Sequence, residues 1–280
     1  MTWEETIRYI RTIPHYAELV EKAYFDEDLV LNVERFRNSE EYRETLELVR
    51  KYAPKSHSIL DIGSGNGISS IAFALDGFQV TVSEPDPSTT VGAGAIRTLA
   101  KHFDLNNIEV YEEFAENINF SDKLFDVVYV RQALHHAYDL KMFVKNLASL
   151  LKPVGLLLTI RDHVIFNEED KNRFLQCHPL QQYYGGENAF LPEEYREAMN
   201  EAGLVIQQEI KFFDSVINYF PLNAQDVDAK KHQYQKRNDF WPSRIINKVL
   251  SKKESDTWQS EAELTIPGRM YSYVCIKRNI

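Results

Sequence analysis

From residue 58 to residue 163 the chain alternates short apolar runs with longer stretches whose apolar residues return every third or fourth position. The runs Ser58–Ile62, Phe78–Ser83, Ile108–Glu112, Phe125–Val130 and Gly155–Arg161 are short, rich in β-branched or aromatic residues and bounded by polar or glycine-containing segments, which predicts buried strands. The clearest helix starts at Asp139, a good N-cap, and runs through Leu140, Phe143, Val144, Leu147, Leu150 and Leu151 to Lys152-Pro153. Strands that alternate with helices predict an α/β fold, a doubly wound and mostly parallel sheet, because parallel neighbours need a crossover. Right-handed crossovers place all the strand ends on one edge, where a site is expected.

Beyond Arg161 the rhythm changes. Residues 164–191 are polar and aromatic and read as an insertion; a helix restarts at Pro192, a suitable first helical position, and runs to Ala202 before Gly203. Leu204–Phe213 and Arg269–Lys277 complete a predicted seven-stranded sheet, with a second insertion over 216–260 between them. Residues 1–57 carry Ile7, Ile10, Leu19, Val20, Ala23, Leu46 and Val49 at helical spacing, with Pro14 as a breaker, which predicts a helical N-terminal cap on a main domain spanning 58–280.

With 280 residues, 44% of them hydrophobic, the chain can bury one full core plus embellishments. Its net charge of −10 argues against a nucleic-acid partner, since phosphate binding draws on clustered Lys and Arg. Only Cys177 and Cys275 occur, far apart, as expected of reduced thiols in a cytoplasmic protein. The start, Met1-Thr-Trp-Glu-Glu5, lacks the basic and apolar regions of a signal peptide, and no apolar stretch reaches the roughly 20 residues that span a bilayer, so no transmembrane segment is expected. The 216–260 insertion departs from the global charge with eight Lys or Arg against five Asp or Glu. Its stretch Trp241–Leu250 aligns Trp241, Ile245, Ile246, Val249 and Leu250 beside Arg244 and Lys248, as in a helix packed on its own protein or on the second copy of a homodimer, or laid on an anionic membrane.

The chemistry concentrates at residues 59–84. Ile59 to Gly67 read Ile-Leu-Asp-Ile-Gly-Ser-Gly-Asn-Gly, and Glu84 closes the next strand. A buried strand, a glycine turn opening a helix, a second strand and a carboxylate at its end together hold a nucleoside-containing cofactor in α/β sheets. The helix terminus favours an anion, and Glu84 is suited to accept hydrogen bonds from two ribose hydroxyls. Asp61, at the end of a buried strand, organises the turn or meets a cofactor ammonium. Ile68 stands where a dinucleotide fingerprint would place its third glycine, which speaks against a nicotinamide oxidoreductase.

The pattern Asp61-x-Gly63-x-Gly65-x-Gly67 resembles the first motif of class I S-adenosylmethionine (SAM) dependent methyltransferases. Three further blocks extend the resemblance over residues 58–163. Phe114-Ala115-Glu116-Asn117-Ile118 before Phe125-Asp-Val-Val resembles their adenine-framing loop, with Phe114 in place of a common Asp. Arg131-Gln-Ala-Leu-His-His136 resembles a form found at the fourth strand of small-molecule enzymes. Lys152-Pro-Val-Gly155 resembles their Lys-Pro-Gly-Gly turn, with Val154 replacing a glycine. The resemblance implies a Rossmann-like fold and SAM held by Asp61, Gly63, Ser64, Gly65, Asn66, Gly67, Glu84, Phe114, Ala115, Glu116 and Arg131.

Methyl transfer is an in-line displacement from an already activated sulfonium, so alignment in a dry pocket does most of the work. A base is needed if the acceptor is a hydroxyl. The candidates are His136, His163 and, more weakly, His135, with Asp162 placed to orient His163. These histidines favour O-methylation of a small polar acceptor, and no metal is expected. Tyr183, Tyr184, Glu187 and Asn188, around Gly185-Gly186, are candidates to grip that acceptor from a lid. A cofactor-binding subunit without turnover is the main alternative.

Overall fold

The computed structural model of the protein describes residues 1–114, 123–178, 180–239 and 266–279. Its strands are β1 (Ser58–Ile62), β2 (Gln79–Ser83), β3 (Ile108–Tyr111), β4 (Phe125–Arg131), β5 (Leu151–His163), β6 (Leu204–Ile210) and β7 (Met270–Lys277). They form one seven-stranded sheet in the order β3-β2-β1-β4-β5-β7-β6. All neighbours from β3 to β5 are parallel, and β7 runs antiparallel to both β5 and β6. The fold class is therefore the expected one. Strand order reverses between β1 and β4, and in open parallel sheets the crevice beyond such a reversal is where ligands bind.

Helices α1 (Trp3–Arg11), α2 (Ala17–Lys22), α3 (Leu29–Arg37) and α4 (Glu40–Tyr52) precede the sheet. Then come α5 (Ile68–Leu75), α6 (Ala93–His102), α7 (Leu140–Ser149), α8 (Glu168–Cys177), α9 (Pro192–Glu201), α10 (Val216–Tyr219) and α11 (Ala224–Asp239). Their starts follow local chemistry: the Asp139 carboxylate accepts from the Met142 amide at 2.9 Å, and Thr2 and Glu5 form a reciprocal capping box on α1.

The N-terminal helices divide in two. Val33, Phe36, Tyr42 and Val49 of α3 and α4 join Phe73 of α5 and Tyr129 of β4 in the core on one face of the sheet. By contrast, Ile7, Ile10 and Val20 of α1 and α2 pack with Val91 and Leu180, above the carboxyl edge of the strands. The opposite face of the sheet carries α7 and α9 through Phe143, Leu147, Tyr195 and Met199.

Two strand ends depart from the sequence pattern. The Lys152–Gly155 segment, expected as a turn, is drawn into β5, where the register shifts against Phe125 and Val127 and Val154 takes a left-handed φ of 56°. Strand β6 ends at Ile210 rather than Phe213, because the Asn218 amide takes the Ile210 and Lys211 carbonyls at 2.8 and 3.1 Å and folds the chain into α10. Ala115, Glu116 and the Trp241–Leu250 stripe lie outside the described residues.

Candidate functional site

The glycine turn leaves β1 at the strand reversal and opens α5. Gly65 and Gly67 have φ of 57° and 84°, in the left-handed region that only glycine adopts freely. They need glycine for different reasons. A Cβ on Gly67 would come within 2.6 Å of Ile96 Cγ1 and break the packing of α5 on α6, whereas a Cβ on Gly65 would meet nothing closer than 3.9 Å. The space beside Gly65 is therefore available to a ligand.

Two carboxylates brace this turn. Glu84 is buried; Oε2 accepts from the Gly65 amide at 2.7 Å and Oε1 from the Asp86 amide at 3.0 Å. One acceptor direction remains on each oxygen. Burial outweighs these two bonds and, with Asp86 and Asp61 nearby, pushes the Glu84 pKa up to about 7. Asp61 collects the hydroxyls of Ser64, Ser69 and Ser70 on Oδ2 at 3.0, 2.7 and 2.5 Å, while Oδ1 has no hydrogen-bond partner among the described residues. Burial raises its pKa despite the three donors. Asp61 thus sits behind the turn and organises it; it does not line the cavity in front. Of the two roles open to Asp61, the structure places it in the first.

That cavity, of about 250 Å³, is lined on one side by Gly63, Ser64, Gly65 and Asn66 and on the other by His135, His136, His163, His178 and Glu187. Trp3, Leu19 and Phe25 of the N-terminal segment roof it. Arg131 also lines it, but its guanidinium is already engaged. Nε and Nη2 donate to the fully buried Glu41 at 2.6 and 3.2 Å, and Arg161 approaches the same carboxylate at 3.6 Å. Burial disfavours the Glu41 charge, yet the two guanidinium groups hold its pKa below the ordinary value. Nothing in the sequence marked Glu41, a helix-start acid like its neighbour Glu40.

The histidine side differs from the expectation. Asp162 makes no hydrogen bond to His163; it accepts from the backbone amide of His135 at 3.2 Å and from its Nδ1 at 3.1 Å. A carboxylate only accepts, so Nδ1 carries the proton and Nε2 points to Glu187, 3.7 Å away and beyond hydrogen-bond reach. Burial works against a charged His135, but Asp162 and the nearby Glu187 prevail and raise its pKa. His163 stacks on His135 with centroids 4.5 Å apart, and its buried Nδ1 has no partner among the described residues. Burial, with the surrounding histidines, lowers its pKa well below the ordinary value. His136, at the cavity mouth, has Nδ1 3.0 Å from the Gly186 carbonyl, which leaves Nε2 unprotonated in the neutral ring. Desolvation and the adjacent His135 lower its pKa. His178, unmarked by any motif, joins the cluster with Nδ1 3.5 Å from Glu187 Oε1.

Of the expected lid residues only Glu187 faces the cavity. Tyr183 packs edge-on against Tyr9 and Tyr16, and Tyr184 lies against Trp3 at 5.4 Å, so both latch the loop to α1 and its neighbours instead of lining the pocket. Asn188 turns its amide toward the Ala137 carbonyl at 3.5 Å. Aromatic rings that can bury against a nearby apolar helix do so in preference to standing in an open cleft. Phe114 is 61% exposed and does not line the cavity. Ligand atoms of His135, His163 and Glu187 all lie within 4.8 Å of one another, a grouping that spacing along the chain did not reveal.

The family model described as "Methyltransferase domain" matches residues 33–209. The chain belongs to this family. The match begins inside α3, in keeping with the packing of α3 and α4 into the sheet core. Among curated relatives, a ubiquinone biosynthesis O-methyltransferase of Rickettsia prowazekii is 32% identical over 100 residues, which cover 36% of this chain and 38% of that protein. The chain thus spans well under two thirds of that relative. Geranyl diphosphate C-methyltransferase of Streptomyces coelicolor has a TM-score of 0.59 at 13% identity over 97% of this chain and 87% of its own. The [4+2]-cyclase SpnF has a TM-score of 0.56 at 18% identity over 84% of this chain and 80% of its own. The fold is that of the class I SAM-dependent methyltransferases, and the likeness to a cyclase shows that this fold alone does not fix the reaction.

Proposed function

We propose that this methyltransferase-family protein transfers a methyl group from SAM to an oxygen of a small polar acceptor. The observation that carries the reading is the single cavity lined by the glycine turn on one side and a histidine–carboxylate cluster on the other. SAM, when bound, supplies the activated methyl group. Ser64, Gly65 and Asn66 are the candidates to hold its amino-acid end, at the start of α5. The free acceptor directions of Glu84 suit two ribose hydroxyls. The adenine contact is carried by the sequence resemblance alone, which assigns it to Phe114, Ala115 and Glu116. Arg131, held by Glu41, steadies the wall between the two halves.

On the acceptor side, Nε2 of His136 is an unprotonated nitrogen at the cavity mouth, and His163 is a buried neutral ring. Either suits proton removal from a hydroxyl better than His135, whose two carboxylate neighbours favour its charged form. Glu187 adds an acceptor for a second polar group. The cavity is small and its rim is built from side chains, which supports a compact acceptor over a polymer.

Calorimetric titration with S-adenosylhomocysteine, followed by transfer of labelled methyl from SAM to a small-metabolite fraction and mass spectrometry of the product, tests the reading. Binding and an O-methylated product are expected. Folded protein that binds neither SAM nor S-adenosylhomocysteine would overturn it. Binding without any labelled product would shift the assignment to a cofactor-binding protein with no methyl transfer.

A further inference from the structure

We infer that His135, His163 and Glu187 form a binding site for a divalent transition-metal ion of the zinc type, with the cavity supplying its open coordination position. Two imidazoles and a carboxylate are the donor set such ions take in open sites, where a fourth position is left for water or substrate. Donors around one tetrahedral ion at 2.0–2.2 Å lie about 3.4 Å from each other. Here Nε2 of His135 and Oε2 of Glu187 are 3.7 Å apart, and no pair in the trio exceeds 4.8 Å. Side-chain shifts of about an ångström close the set.

Three further observations favour an ion over a purely internal network. First, the cluster leaves polar atoms unsatisfied: Nδ1 of His163, Nδ1 of His178 and Oε2 of Glu187 are all buried without a hydrogen bond among the described residues. Buried polar atoms are rarely left so, and two of these three belong to the trio itself, which indicates a missing partner there. Second, Asp162 grips Nδ1 of His135 at 3.1 Å, the carboxylate–histidine arrangement that fixes the tautomer of a ligating ring and turns Nε2 toward the ion. Third, the donors are buried to within a tenth of full burial while facing a cavity, so the site is shielded yet open on one side. His178, 3.5 Å from Glu187 Oε1, is placed either to join as a fourth ligand or to orient that carboxylate.

The consequence rests on the methyl-transfer reading. An acceptor hydroxyl in the open position loses its proton more readily, since a bound ion lowers the pKa of an oxygen ligand. The O–H bond breaks and its proton passes to Nε2 of His136. The oxygen then bonds to the donor methyl carbon as the carbon–sulfur bond breaks, and sulfur keeps that electron pair.

Titration of the metal-free full-length chain with Co²⁺, read by visible absorption and by competition with Zn²⁺, is the test. One Co²⁺ per chain is expected, with the intense visible bands of a four- or five-coordinate site. The variants His163→Asn and Glu187→Gln should each bind at least about tenfold more weakly, and Asp162→Asn about 10–100-fold more weakly through loss of its hold on His135. Circular dichroism melting confirms which variants remain folded, and any one folded variant suffices. Wild-type protein without stoichiometric Co²⁺ uptake, or folded variants that bind Co²⁺ as tightly as wild type, would overturn the site. S-adenosylhomocysteine binding, measured in parallel, reports separately on the methyltransferase reading; it should stay within about threefold of wild type in all three variants.

Discussion

The two walls of the cavity are built in opposite ways. The donor wall comes from one stretch, residues 61–86, in which a strand, a turn and a second strand brace one another through bonds such as Gly65 to Glu84 and Ser64, Ser69 and Ser70 to Asp61. The acceptor wall draws single residues from four separate places: His135 after β4, His163 at the end of β5, His178 after α8 and Glu187 in the loop before α9. Among the buried side-chain atoms of the donor wall only Asp61 Oδ1 lacks a hydrogen bond among the described residues, and Asn66 reaches as far as the Tyr24 carbonyl. In the acceptor wall several are left over. On the proposed reading, the difference follows from the tasks: a common cofactor needs a preformed cradle, whereas an acceptor needs groups kept available.

The widest separation between the walls is expected from paired substitutions. Gly65→Val forces a β-branched residue to φ 57° and fills the space before the turn; S-adenosylhomocysteine affinity should fall at least about 100-fold, roughly 2.8 kcal/mol. Glu187→Gln should instead lower turnover by about 10²-fold with cofactor affinity nearly unchanged, as expected for a group that positions the acceptor. Equal loss of both properties in either variant would erase the distinction.

Glu41→Gln probes the seam between the walls. It leaves the Arg131 and Arg161 guanidiniums buried without their counter-charge, so urea unfolding should show a loss of about 3–5 kcal/mol. Cofactor affinity should fall as Arg131 is released, and a variant as stable as wild type would remove Glu41 from this role.

Glu84 gives the donor wall a pH signature. Its folded pKa of about 7 lies above the ordinary 4.5, so the folded protein holds a proton that the unfolded chain has lost. Stability without cofactor should therefore be highest near pH 4.5 and fall by up to about 3 kcal/mol as pH rises through 7, where the penalty is complete. Glu84→Gln should flatten that slope, and saturating S-adenosylhomocysteine should reduce it by donating ribose hydroxyls to the carboxylate. A slope identical in wild type and variant would assign the titration elsewhere.

The smallest effect expected is at Val154, which is 60% exposed and held at φ 56°. Val154→Gly should stabilise the protein by about 0.5–1 kcal/mol, with no change in either wall; a destabilised variant would mean that the side chain packs usefully at the start of β5.

Legibility in the sequence followed the same division. All seven strands stood out because each is a short apolar run between polar breaks, and the starts of α7 and α9 because Asp139 and Pro192 act on their own helices. The glycine turn and Glu84 were readable because their spacing encodes a contact between adjacent strands. The acceptor side was misread where residues acted across the chain. Asp162 adjoins His163 in sequence, but its carboxylate takes the amide and Nδ1 of His135, 27 positions away. Tyr183 and Tyr184 looked like ligand-gripping aromatics, yet α1 lies close enough to engage their rings with Tyr9 and Trp3.

Apolar periodicity, turn chemistry and strand–turn–helix spacing depend on neighbours within a few tens of residues, and so the amino-acid order alone set the seven-stranded sheet, the switch-point crevice and the glycine cradle. Only folding decided that Glu41 would clamp Arg131, that the first two helices would roof the pocket, and that three histidines and Glu187 would converge opposite the cradle. Most of those encounters join residues tens of positions apart or more, whose distances are fixed by how helices and strands pack and leave no periodic trace in the sequence.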